Sequence, residues 1–215
     1  MSTPGRPAEP VSLDLMSAEL VRRRALTVSA GAVVLAAAIG GVIGLVGGRL
    51  AGLLAAAIVA IPLLLLAFTE SRRRTWLADG VVCVRAFGTR RVDLRTVTSI
   101  ELLITEVRGN RVVGLLVTGP PKGKTINLAV ASYTATGGRE LGVLALRRLA
   151  DALAGGEDPG GLVFAELLVA QLRAEAREAG GADRPLFRIA SLAPGGRLAQ
   201  RLRPEAVTRF VATLD

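Results

Sequence analysis

Two charge-free apolar runs, set almost end to end, constrain this chain more than anything else in it. Ala25 to Val46 holds 22 residues and Leu50 to Phe68 holds 19, with only Gly47, Gly48 and Arg49 between them. A helix rises about 1.5 Å per residue, so about 20 apolar residues cross a hydrocarbon layer of about 30 Å. Each run is long enough to cross once, and the three-residue connection makes the pair an out-and-back hairpin. The mean hydropathy of +0.47 is high for a water-soluble protein, and these runs account for most of it.

Charge sets the expected orientation. Arg22, Arg23 and Arg24 precede the first run, Arg72, Arg73 and Arg74 follow the second, and the turn between them carries only Arg49. Short loops rich in basic residues stay in the cytoplasm. The expectation is therefore a cytoplasmic tail over residues 1–24, a two-helix transmembrane hairpin over 25–69, and both termini on the cytoplasmic side of the cell (inner) membrane. Val21 to Leu26 loosely resembles a twin-arginine export start. The first apolar run, however, exceeds a signal core of about 7–15 residues, and a second span follows at once.

Small residues recur every fourth position along the hairpin, at Ala32, Ala36, Gly40, Gly44, Gly48 and Gly52. On a helix this spacing makes one face without bulky side chains, where another helix can approach closely. That face serves either as the seam between the two spans or as the contact of a homo-oligomer, and the short tether favours the seam. Pro62 lacks the N–H that closes a helical turn and is expected to bend the second span. Upstream, Val11 to Leu20 reads as a short amphipathic helix begun by Ser12, with Leu13, Met16, Leu20 and Val21 on one side.

Composition narrows the function. The net charge is +9, from 27 basic and 18 acidic residues, and the excess is spread along the chain. A basic balance suits a protein facing anionic lipid. Nucleic-acid binding would want basic residues interleaved with aromatics, and only 3% of residues are aromatic. Histidine is absent, which removes Ser-His and Cys-His nucleophile pairs and histidine metal ligands. The single Cys83 permits neither an intrachain disulfide nor a thiolate zinc site, and reads as a small buried strand residue. No catalytic residue, metal or cofactor is expected.

After the hairpin the pattern turns to strands. Thr75 to Leu77 leads into the Asp79-Gly80 hairpin signal, followed by Val81 to Ala86, a turn at Gly88-Thr89, and Arg90 to Leu94. Ile100, Leu102 and Ile104 alternate with polar residues. Gly109-Asn110 marks another hairpin, then come Arg111 to Thr118 and Lys124 to Ala131. Thr136 would cap a helix bearing the stripe Leu141, Leu144, Ala145, Leu149, Ala152 and Leu153. Six short strands and a helix describe a bent β-sandwich or barrel closed by that helix, over residues 75–154.

The run Thr75 to Val81, then Val84-Arg85, then Gly88 to Leu94 with Val97, placed directly behind a two-span hairpin, resembles the bacterial PH-like domain proteins, of the uncharacterised actinobacterial membrane type. The resemblance covers about residues 22–153. It implies a membrane helical hairpin plus an α+β, PH-like domain that binds or scaffolds rather than catalyses, and it supplies no ligand residues.

Gly119 to Thr125 superficially resembles a phosphate-binding loop, but it has three residues between its glycines where four are needed, and a strand pattern follows where a helix is needed. It reads instead as a basic hairpin tip. Lys122 and Lys124 there, with Arg90 and Arg91, are candidates for contact with anionic lipid, against the plainer reading of solvated turns. Residues 155–161 read as a linker and 162–215 as a helical C-terminal region: a helix over Leu162 to Glu178, an extended Arg184 to Leu192, a break at Gly195-Gly196, and a last helix from Pro204 to Leu214. These helices either pack on the sheet domain or form a partner-binding arm. The expected function is membrane-anchored scaffolding through a protein partner or the anionic inner leaflet, with an accessory subunit of a transporter or envelope assembly as the alternative.

Overall fold

In the computed structural model, the described residues are 9–85, 88–107, 109–120, 123–135, 137–193 and 199–214. The chain divides into two units, one built on the two long helices and one on the sheets and remaining helices.

In the first unit, α1 (Ala18–Gly47) and α2 (Arg49–Arg72) are both long and apolar enough to cross a membrane. Each extends beyond its charge-free core at the arginine-bearing end, because arginine is a good helix former and the flanking residues offer no break. Ser17 begins α1, its hydroxyl accepting from the Leu20 N–H at 3.4 Å. The turn rests on Gly48, whose φ of +87° lies in the left-handed region that side chains disfavour. Pro62 sits inside α2, which continues through it to Arg72. The helices meet backbone to backbone: a Cβ on Gly40 would lie 2.7 Å from both the Ala56 Cβ and the Gly52 carbonyl oxygen, and one on Gly52 2.7 Å from the Gly44 Cα. Small residues make that approach possible.

The second unit holds two antiparallel sheets that do not close into a barrel. One runs β1-β2-β3-β4, from β1 (Val11–Ser12), β2 (Arg74–Ala78), β3 (Val81–Arg85) and β4 (Thr89–Asp93). The other runs β8-β7-β6-β5-β9, from β5 (Ser99–Val107), β6 (Asn110–Gly119), β7 (Lys124–Thr134), β8 (Gly137–Glu140) and β9 (Ala199–Leu202). Asp79 and Gly80, at φ 50° and 80°, form the two-residue turn that their dipeptide predicts. Ile100, Leu102 and Ile104 are buried in alternation along β5, as their spacing requires.

Several expectations are corrected. Val11 to Leu20 is not a helix begun by Ser12. Val11 and Ser12 pair with Leu77 and Trp76, the Leu13 N–H reaches the Thr75 carbonyl at 2.9 Å, and the Thr75 N–H donates to Asp14 Oδ1 at 2.9 Å. The chain before the hairpin is thus clasped to the chain after it. Residues 137–140 are a strand, and Thr136, the expected cap, lies outside the described residues. The helix α3 (Val143–Ala154) starts later, capped by the Gly142 backbone, which turns Leu146 inward and leaves Leu144 outside. The glycines at 160 and 161 are not linker. They open α4 (Pro159–Ala176), where a Cβ on Gly161 would lie 2.7 Å from the Leu153 carbonyl oxygen, so their lack of side chains lets α4 start against the end of α3. Residues 185–191 are not extended but form α5 (Pro185–Ser191), because Pro185 suits a first helical position. Gly195-Gly196 lies outside the described residues. The final helix is α6 (Pro204–Val211).

One core joins both sheets to α3, α4, α5 and α6, with Leu94, Leu115, Leu149, Phe164 and Leu186 fully buried. The C-terminal helices are therefore part of the domain. Cys83 is buried and free.

Candidate functional site

A register shift in β7 organises the polar heart of the domain. Val113 pairs with Ala131 and Gly114 with Ala129, so Val130 is an extra residue in its strand. The bulge reverses the alternation: Ile126, Leu128 and Val130 are buried before it, Ala131 and Tyr133 after it. Tyr133 is thereby turned inward, its ring over Gly138 of β8, where a Cβ would come within 2.5 Å of ring Cδ1. Its ring meets Phe187 edge-on at 5.2 Å.

The Tyr133 hydroxyl donates to Glu140 Oε1 at 2.6 Å. Glu140 Oε2 accepts from Gln171 Nε2 and from Arg184 Nη1, both at 2.7 Å. Arg184 Nη1 also lies 2.6 Å from Glu175 Oε2, and Gln171, with no solvent exposure, accepts from the Leu186 N–H at 3.0 Å. Burial, and then the Glu140 hydrogen bond, push the Tyr133 phenol well above its usual range, the nearby Arg184 opposing only in part. The hydrogen bond to Glu140 raises Arg184 in turn, against a lowering by burial. The carboxylate accepts from three donors at once and so ties β7, β8, α4 and the residue before α5 together. Sequence reading missed this cluster. Its one local signal is Gln171, a polar residue on the helical face that carries Phe164, Leu167 and Leu168.

The residues singled out from sequence fall elsewhere. Arg90 and Arg91 on β4 and Lys124 at the start of β7 are exposed, and Lys122 lies outside the described residues. A Cβ on Gly119, which pairs with Lys124, would lie 2.9 Å from Val92 Cγ1, so the strand bearing the two arginines and the hairpin bearing Lys124 meet at one end of the domain. Asp93 accepts from the Arg95 N–H at 2.9 Å, capping its own turn. Lys124 opens a strand, which removes the helix a phosphate-binding loop requires.

In the hairpin, Ala32, Ala36, Gly40 and Gly52 are buried and Gly44 faces Gly52, whereas Gly48 belongs to the turn and packs on nothing. Arg22, Arg23, Arg24, Arg72, Arg73 and Arg74 are all exposed. Arg23 reaches Glu19 at 2.7 Å, and the Arg72 guanidinium sits 4.3 Å from the Phe68 ring centre. Two of the open grooves among the described residues lie beside arginines. One, of about 560 Å³, runs between α5 and α6, with Arg188 and Arg209 beside Phe187 and Phe210. The other, of about 640 Å³, lies between α1 and α2 near their arginine-bearing ends. No family model, curated protein or solved structure matches this chain.

Proposed function

We propose that this chain is a membrane-anchored binding or scaffolding protein. Its hairpin holds the sheet domain at the cytoplasmic face of the inner membrane, where the domain meets a protein partner or the anionic leaflet. One observation carries the reading: two adjoining helices whose outward faces are apolar and exposed, with Leu45 and Val46 each at least 90% accessible, tied to a domain that buries its own apolar side chains. In water such faces would be costly, at about 25 cal/mol per Å² of apolar surface. The arginine triplets favour the inward orientation, and the β1–β2 pairing favours an even number of crossings, because it puts the chain before and after the hairpin on one side.

A PH-like arrangement is part of the proposal. It is supported by the order of a meander from β2 to β4, a second from β5 to β8, and then α3. The basic end where β4 meets the β6–β7 hairpin is the surface offered to anionic headgroups. In the accessory-subunit alternative the docking surface lies outside the glycine face, which packs within the hairpin.

The test is carbonate extraction of membranes, a carboxyl-terminal reporter for sidedness, and crosslinking pull-down of the full chain. Retention in the membrane, an inward terminus and a recurrent partner are expected. Release into the aqueous fraction, or an external terminus, overturns the reading.

A further inference from the structure

The hairpin is tight at its turn and open at its charged end. Gly40, Gly44 and Gly52 bring the backbones together near the turn, while toward the other end a groove opens between the helices. Leu26 and Ser29 line one wall, Ile61, Leu65 and Phe68 the other, and Arg22 stands at the mouth. The lining residues from Arg22 to Ser29 span about 10 Å of helix, room for the upper part of an acyl chain.

Resting on the membrane reading above, we propose that this groove holds one anionic phospholipid, its acyl chain against Leu26, Ile61 and Leu65 and its phosphate at Arg22 and Arg72. Charge decides the occupant. Copies of one hairpin insert with the same orientation, so a second copy seated here would bring its own arginine cluster to the same level. A phospholipid phosphate instead meets the cations with the opposite sign while its chain fills the apolar wall. Arg72, held over Phe68 at 4.3 Å, already has its guanidinium beside the groove lining.

The test uses the full chain in micelles, with dioleoyl phosphatidylglycerol, dioleoyl phosphatidylcholine of identical chains, and glycerol phosphate as probes, read by native mass spectrometry. Phosphatidylglycerol should be retained in preference to phosphatidylcholine, and glycerol phosphate should not displace it. Arg22→Gln and Arg72→Gln should each weaken retention about fivefold, the effect of one basic contact near a headgroup. Ser29→Phe fills the groove and should abolish it; Leu26→Trp, at a largely exposed position, does the same without burdening the helix seam. Equal retention of the two lipids, displacement by glycerol phosphate, or unchanged binding in both filling variants overturns the proposal. So does a disulfide between two copies of Ser29→Cys. Membrane retention after carbonate extraction separates these failures from failure of the anchoring reading itself.

Discussion

The hairpin and the sheet domain solve opposite problems with similar residues. In the sheet domain the core leucines go inward: Leu94, Leu102 and Leu149 have no exposed surface. In the hairpin large side chains such as Leu45, 90% exposed, go outward, while Ala32, Ala36, Gly40 and Gly52 go inward, Ala36 at 3%. Where water is the solvent, burying large apolar side chains drives assembly. Between helices in lipid, where the reading proposed above sets the hairpin, that drive is missing and close backbone approach takes its place. The same substitution should therefore be costly in one region and nearly neutral in the other.

The largest effect belongs to the sheet domain's polar cluster. Glu140→Ala strips Tyr133, Gln171 and Arg184 of their shared acceptor, and should cost about 3–5 kcal/mol in denaturant melts of the full chain followed by the single tryptophan, Trp76. Tyr133, the chain's one tyrosine, reports the same cluster. Its phenol is raised above 10.0 in the folded chain, so the unfolded chain gives up this proton first. Stability is thus unchanged by this group below about pH 10 and falls as the pH rises further. Phenolate absorbance should appear together with unfolding; a phenolate titrating near pH 10 in the folded chain would mean the cluster is open to water.

Next comes the direct contrast. Leu102→Ala should cost about 2–5 kcal/mol, as a core cavity does, whereas Leu45→Ala should stay within about 0.5 kcal/mol. Similar values at both positions would erase the distinction between the regions. Last comes the glycine pair. Gly52→Ala forces a Cβ to 2.5 Å from the Gly40 carbonyl oxygen and should cost about 1–3 kcal/mol, measured by thermal loss of helicity in micelles. Gly41→Ala meets nothing within 4 Å and should be neutral or slightly stabilising, since alanine is the better helix former.

What the sequence discloses follows the range of the interactions. The hairpin, the Asp79-Gly80 turn and strands β5, β6 and β7 are legible because length, turn chemistry and alternation are local. The short strands β1, β8 and β9 are not. Gly137-Gly138-Arg139-Glu140 and Ala199-Gln200-Arg201-Leu202 have no strand pattern of their own and become strands by pairing with the edges of β7 and β5. The Glu140 cluster is less legible still, since its members are drawn from positions 133, 140, 171, 175 and 184 and meet only after the β7 bulge turns Tyr133 inward. The hairpin groove depends on where two helices diverge, which no single-helix periodicity encodes.

The clasp of Val11 and Ser12 onto Trp76 and Leu77 also bears on biogenesis. Asp14 waits for Thr75, 61 residues behind it in synthesis, and everything between them must be made and laid down first. On the membrane reading proposed above, the first sheet then acquires its outermost strand as a latch that shuts only when the emerging polypeptide has returned to the compartment it started from. On that same reading, an insertion error that left one helix stranded would strip β2 of its neighbour and leave an unpaired edge.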